Sequence, residues 1–172
     1  IKNNINITHG YGLTETGMIL KNKNSIIQGY PWIGCEIRIV NIKDNKDVKK
    51  NGDEYGEIWV KSDNIYDYYK SVNHRENGYF RTGDIAVQYP DGAIQIVDRK
   101  KDMIISGGEN ISSLEVENCL NKFPGIKRSA VIAKPDDKWG EVPFAFLELG
   151  DNCKNNFSEE EINKFCKKYL PS

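Results

Sequence analysis

The run His9-Gly10-Tyr11-Gly12-Leu13-Thr14-Glu15-Thr16-Gly17 puts an aromatic face, a hydroxyl and a carboxylate into one turn-rich stretch. A loop of that kind can stack a base, hydrogen-bond a phosphate and hold a divalent cation. Glycine-rich turns with a Thr and a Glu also serve as plain connections, so the run alone leaves both readings open. A second run, Gly78-Tyr79-Phe80-Arg81-Thr82-Gly83-Asp84, ends on an acid placed to open a strand at Ile85. A carboxylate there can accept both hydroxyl protons of a ribose, or simply cap a turn. The third run is Asp98-Arg99-Lys100-Lys101-Asp102-Met103-Ile104-Ile105-Ser106-Gly107-Gly108-Glu109-Asn110-Ile111. Arg99 could reach ribose or phosphate, and Gly107-Gly108 lets a narrow ligand pass close to backbone, while the charges read equally well as solvated surface.

These runs need a scaffold, and the hydrophobic periodicity supplies one. Cys35–Val40 alternates, Gly56–Lys61 follows after a polar connection, and Ile85–Tyr89 and Ala93–Val97 flank a Pro90-Asp91-Gly92 turn, so residues 1–100 read as mostly β. Past Lys101 the pattern changes. Ser112-Ser113-Leu114-Glu115 has capping-box spacing, with Val116, Cys119, Leu120 and Phe123 on one helical face before Pro124-Gly125. Strands are expected at Ser129–Ala133 and Pro143–Leu149 with a polar loop between them, and Ser158-Glu159-Glu160-Glu161 opens a second helix carrying Ile162, Phe165, Cys166 and Tyr169. The second part therefore reads as a β-α-β-β-α unit, with the boundary in the charged stretch 99–102. The Asn/Lys-rich patches 41–51 and 151–156 read as loops.

Composition removes several function classes. The 172 residues carry 38% hydrophobic and 28% charged side chains at a formal net charge of -1, so no overall field would gather nucleic acid or an anionic membrane. No apolar run approaches the roughly 20 residues of a membrane span. Cys35, Cys119, Cys153 and Cys166 are widely spaced, with neither metal-site nor disulfide-framework spacing, and read as reduced thiols of an intracellular, cytoplasmic protein.

In order and separation, the three runs resemble the signature motifs of the adenylate-forming (AMP-binding) superfamily, which holds acyl-CoA synthetases, firefly luciferase and the adenylation domains of peptide synthetases. Gly29–Glu36 and Gly56–Val60 are similar to its barrel-subdomain landmarks, so the resemblance covers essentially the whole chain. Ser106–Glu117 is most similar to short- and medium-chain acyl-CoA synthetases. The resemblance implies an α+β chain. Residues 1–100 would be the mostly-β, distorted-barrel end of the large AMP-binding domain, and 101–172 a small, incomplete C-terminal lid.

It also implies roles. His9, Gly10, Tyr11, Gly12, Thr14, Asp84 and Arg99 would line the ATP/AMP site, with Tyr11 stacked on adenine, Thr14 on the phosphate and Asp84 on both ribose hydroxyls. Glu15 would help hold Mg²⁺. Lys101 matches a hinge position where relatives carry Asp or Lys, and would form a catalytic set with Thr14 and Glu15. Gly107, Gly108 and Trp139 would border the CoA route, although Trp139 also reads as a surface-turn aromatic packed on its own domain. Gly10, Met18 and Ile19 would border the acyl pocket. The implied reaction uses ATP, Mg²⁺ and CoA to convert a carboxylic acid to its thioester through acyl-AMP. Alternatives are a ligase that passes the acyl group to a carrier protein and a non-catalytic nucleotide-binding relative. The family's phosphate loop would lie upstream of Tyr11 and its lid lysine downstream of Ser172. These 172 residues alone are therefore expected to give no ATP–pyrophosphate exchange, and robust exchange by them would contradict this account.

Overall fold

Strand-forming alternation and tight turns build most of the chain. The computed structural model describes residues 8–22, 28–65, 75–150 and 158–170, and the 151–156 patch, expected as a loop, and Cys153, expected as a reduced thiol, lie outside them. The chain divides into two units, Ile1–Lys100 and Lys101–Ser172. The first contains β1 (Gly10–Leu13), β2 (Gly17–Lys21), β3 (Gln28–Pro31), β4 (Glu36–Val40), β5 (Gly56–Lys61), β6 (Arg75–Glu76), β7 (Tyr79–Gln88) and β8 (Ile94–Arg99). They form one antiparallel sheet in the order β1-β2-β3-β8-β7-β5-β4, with β6 added to β7.

That sheet curls. Four strand steps separate β1 from β7, about 19 Å across a flat sheet at about 4.8 Å per step. Yet the Tyr11 hydroxyl on β1 reaches the Asp84 carboxylate on β7, a span no tyrosine covers unless the sheet bends back on itself. The core agrees: Ile19 and Leu20 from β2 pack in one cluster with Ile39 from β4, Ile58 and Val60 from β5 and Ile94 from β8, and Tyr11 and Leu13 pack against it. Strands near both ends of the path thus share one interior, as the barrel-like expectation requires.

The second unit runs β9 (Ile104–Ser106), β10 (Glu109–Ile111), α1 (Ser113–Leu120), β11 (Ile126–Asp136), β12 (Gly140–Leu149) and α2 (Glu159–Tyr169), with sheet order β10-β9-β12-β11. Ser112 caps α1 by accepting from the Glu115 amide at 3.1 Å. Ser158 and Glu161 form a reciprocal capping box on α2. Cys119 and Leu120 are buried on α1, and Leu120 clusters with Ile104, Ile126 and Val131. Against this cluster pack Val116, Phe123, Ile162 and Cys166, and Phe165 meets Phe123 edge-on at 5.1 Å.

Three expectations are corrected. The second unit is β-β-α-β-β-α, because Gly107 and Gly108, at φ of 58° and 90°, make a turn tight enough to pair two three-residue strands too short to show a period. The two long strands extend through the expected polar loop, leaving only Asp137–Trp139 as the connection, because their antiparallel pairing continues to Asp136 opposite Gly140. Asp84 does not open a strand: β7 begins at Tyr79, and Asp84 lies inside it beside an irregularity.

Candidate functional site: a buried carboxylate on an irregular strand

The irregularity in β7 follows from its sequence. Across the pair with β5, Glu57 faces Ile85 and Trp59 faces Arg81, so Ile58 opposes the extra residues Thr82-Gly83-Asp84. Gly83 has φ of 74°, which a side chain would disfavour. Thr82 Oγ1 donates to the Ile58 carbonyl at 2.9 Å and accepts from the Asp84 amide at 3.1 Å, which ties the bulge at its base. Bulges re-aim side chains, and this one carries Asp84, opposite Arg99 on β8.

The Asp84 carboxylate is almost fully buried and is shared between two partners. Arg99 Nε contacts Oδ1 at 2.8 Å and the Tyr11 hydroxyl donates to Oδ2. Burial first, and then the hydrogen bond to Asp84, push the Tyr11 phenol well above its usual range, so it remains a donor. Arg99 is half-exposed and keeps one side of the pair in contact with solvent. A buried carboxylate with both oxygens engaged has spare lone pairs, and a diol displacing the Tyr11 hydroxyl would satisfy Oδ2 equally well.

The His9–Gly17 run, expected as a loop, is a hairpin, because Gly10–Leu13 and Gly17–Lys21 pair across the turn at 14–16. His9 is exposed and its carbonyl accepts from the Asn22 amide at 3.0 Å, extending the ladder. Gly10 and Gly12 lie in β1, Thr14 is exposed in the turn and Glu15 is half-exposed beside it. Thr16 fixes this turn: it is fully buried, its amide donates to the Leu13 carbonyl at 3.2 Å and its Oγ1 accepts from the Leu13 amide at 3.3 Å. Among the described residues Glu15 has no ion-pair partner and no cluster of three metal-type ligands forms. A single accessible carboxylate still fits Mg²⁺, which takes one or two carboxylates and fills its remaining positions with phosphate oxygens and water.

On β2, Met18 is exposed and its Sδ would lie 2.5 Å from a Cβ at Gly10, so these two adjoin. Ile19 is fully buried in the core and presents no open surface. In the second unit, Lys101 is exposed. The Gly107 amide donates to the Trp139 carbonyl at 2.8 Å, and a Cβ on Gly107 would meet Trp139 Cε3 at 2.8 Å. The half-exposed indole thus lies on the Gly107-Gly108 turn, and Lys138 Nζ sits 4.5 Å from its ring centre. Tyr11, Asp84 and Arg99 are brought together in one unit, as are Gly107 and Trp139 in the other.

Sequence reasoning missed Glu57. It is nearly buried, and Oε2 accepts from Arg81 Nη2 at 3.0 Å and Lys100 Nζ at 3.2 Å while Oε1 accepts from the Gly83 amide at 3.2 Å. Burial alone would raise its carboxyl, but the hydrogen bonds and charges of Arg81 and Lys100 more than offset this and hold it below the usual carboxylate range. The available signal was an acid inside an otherwise apolar strand, Gly56-Glu57-Ile58-Trp59-Val60.

A curled antiparallel sheet with an acid buried on a bulge, together with a small helix-and-strand unit, matches known enzymes. The description "AMP-binding enzyme" matches residues 1–70 and "AMP-binding enzyme C-terminal domain" matches 115–172. The chain belongs to this AMP-binding, adenylate-forming superfamily. An acetate–CoA ligase of Humulus lupulus is 38% identical over 96% of this chain and 34% of its own length. The o-succinylbenzoate CoA synthetase of Bacillus subtilis, solved with its acyl-adenylate intermediate, superposes with a TM-score of 0.79 at 34% identity, over 96% of this chain and 35% of that one. The same synthetase solved with ATP and magnesium gives 0.77 at 32% identity, over 96% and 35%. The chain thus spans about a third of the length of the relatives it matches.

The Gly107–Trp139 contact yields a direct test. Gly107→Ala adds a methyl against the indole at a left-handed φ, and is expected to lower unfolding free energy by about 1–2 kcal/mol and shift Trp139 emission to the red. Unchanged stability and emission would contradict the packing described.

Proposed function

We propose that this chain forms the nucleotide-handling end and part of the lid of an AMP-forming acid–thiol ligase, which activates a carboxylic acid with ATP and transfers the acyl group to CoA. The observation that carries the reading is the buried Asp84 carboxylate, held by Tyr11 and Arg99, in a sequence run that resembles the superfamily's motif for the ribose-binding acid. The relatives' names, acetate–CoA ligase and o-succinylbenzoate CoA synthetase, support the same class of reaction.

In the proposed chemistry, a carboxylate oxygen of the acid attacks the α-phosphorus of ATP. The bond to pyrophosphate breaks and acyl-AMP forms. The CoA thiol then attacks the acyl carbon, a C–S bond forms, the thiol proton leaves to solvent and AMP departs with the C–O electrons. Both steps depend on holding one nucleotide still while its partner changes, so positioning contributes most of what this chain supplies. Asp84 and Arg99 fix the ribose, Tyr11 borders the adenine, and His9, Gly10 and Gly12 supply neighbouring backbone. Thr14 donates to the α-phosphate. Glu15 would hold Mg²⁺, whose charge offsets that of the phosphates.

Gly107, Gly108 and Trp139 would border the pantetheine of CoA, and Lys101 would be the pivot of the lid. Gly10 and Met18 would face the acyl group, of short or medium chain, while Ile19 supports them from the core. Cys35, Cys119 and Cys166 are free thiols, and no helix among the described residues is long and apolar enough to cross a membrane. The free thiols fit the reducing, intracellular setting we assign to it.

The deciding experiment gives the full-length protein a panel of carboxylic acids with ATP, Mg²⁺ and CoA and reads AMP release and thioester formation. AMP released in step with thioester for at least one acid is expected. Release that requires a carrier protein in place of CoA, or no release with any acid, would overturn the proposal.

A further inference from the structure

The Glu57 cluster lies one residue away from both members of the Asp84–Arg99 pair. Its Oε1 holds the Gly83 amide, and the Gly83 carbonyl accepts from the Lys100 amide at 2.8 Å, so Gly83, the residue preceding Asp84, is held through both its N–H and its C=O. Its Oε2 holds the ammonium of Lys100, which follows Arg99, and the guanidinium of Arg81. Trp59 Nε1 closes the group at 3.4 Å.

A buried acid in a sheet can serve the fold alone, but two features point beyond that. The β5–β7 ladder is irregular only where Glu57 reaches across it, so the bulge that turns Asp84 is held by this side chain in addition to regular pairing. The cations it binds are about one-third exposed, Arg81 at 30% and Lys100 at 36%, and could be solvated without it. The fold therefore has little need to bury an acid to neutralise them, whereas the Gly83 amide and the Lys100 side chain gain a fixed position from it.

We infer that Glu57 is a positioning residue that sets the geometry of the Asp84–Arg99 pair toward the ribose hydroxyls. This rests on the reading of Asp84 given above. Glu57 touches no substrate; it acts through the Gly83 peptide and Lys100, and its removal lets Asp84 and Arg99 drift by the fractions of an ångström that separate a good charged hydrogen bond from a poor one.

The test uses the full-length protein and compares kcat/KM for ATP with that for 2′-deoxy-ATP. A carboxylate well aimed at the 2′-hydroxyl gives the wild type a preference for ATP of about tenfold or more. Glu57→Leu, which keeps volume but removes the acceptor, is expected to reduce that preference about tenfold, and Glu57→Gln, which retains an oxygen for the Gly83 amide, to fall between. A merely structural role would lower both nucleotides equally and leave the ratio unchanged. Should Glu57→Leu fail to fold, Glu57→Gln decides alone: a ratio reduced about threefold supports the inference, and an unchanged ratio overturns it. A wild type with no preference for ATP removes the ribose role of Asp84 and this inference with it. A discriminating wild type alongside folded variants that keep its ratio removes this inference only.

Discussion

A carboxylate taken out of water must be met by donors, and at Asp84 that requirement organises the first unit. Removing one partner from a buried charged pair costs about 3–5 kcal/mol, although the exposure of Arg99 discounts the upper end here. To keep Asp84 satisfied, the sheet brings β1 back over β7 so that Tyr11 can donate, β8 sets Arg99 opposite, and β7 gives up regular pairing at Gly83. Curl, bulge and register are three local solutions to one electrostatic demand.

The same demand explains why a second acid is buried beside the first. Glu57 and Asp84 divide four cationic or hydroxyl partners between them without sharing any: Arg81 and Lys100 go to one, Arg99 and Tyr11 to the other. Two separately neutralised carboxylates in adjoining strands hold position better than a shared network in which either acid could take the other's donor.

Much of this was legible in the sequence where a residue type answers to one local rule. Ser112 and Ser158 read as helix caps and are caps, since a hydroxyl that accepts from the third amide is a purely local arrangement. Gly56–Lys61 read as a strand with the bounds it has. The motif residues Tyr11, Asp84 and Arg99 were picked out separately, yet nothing in their spacing says that they touch, because that contact depends on the curl of the whole sheet. Glu57 escaped for the same reason: its partners lie 24 and 43 positions away in the chain. The β9–β10 hairpin escaped because three residues are too few to show a period. Ile19 was matched to the acyl-pocket border by resemblance together with Met18, yet Met18 is exposed and Ile19 fully buried, a difference of packing that the motif alone does not carry.

The central claim is that the buried Asp84 carboxylate is the ribose acceptor, and the measurement closest to it is a crystal structure of the full-length protein with AMP. The account predicts both ribose hydroxyls within about 3 Å of the Asp84 oxygens, Arg99 still on Oδ1 and the Tyr11 hydroxyl displaced from Oδ2. A ribose bound elsewhere, with Tyr11 still donating to an unchanged Asp84, would contradict it.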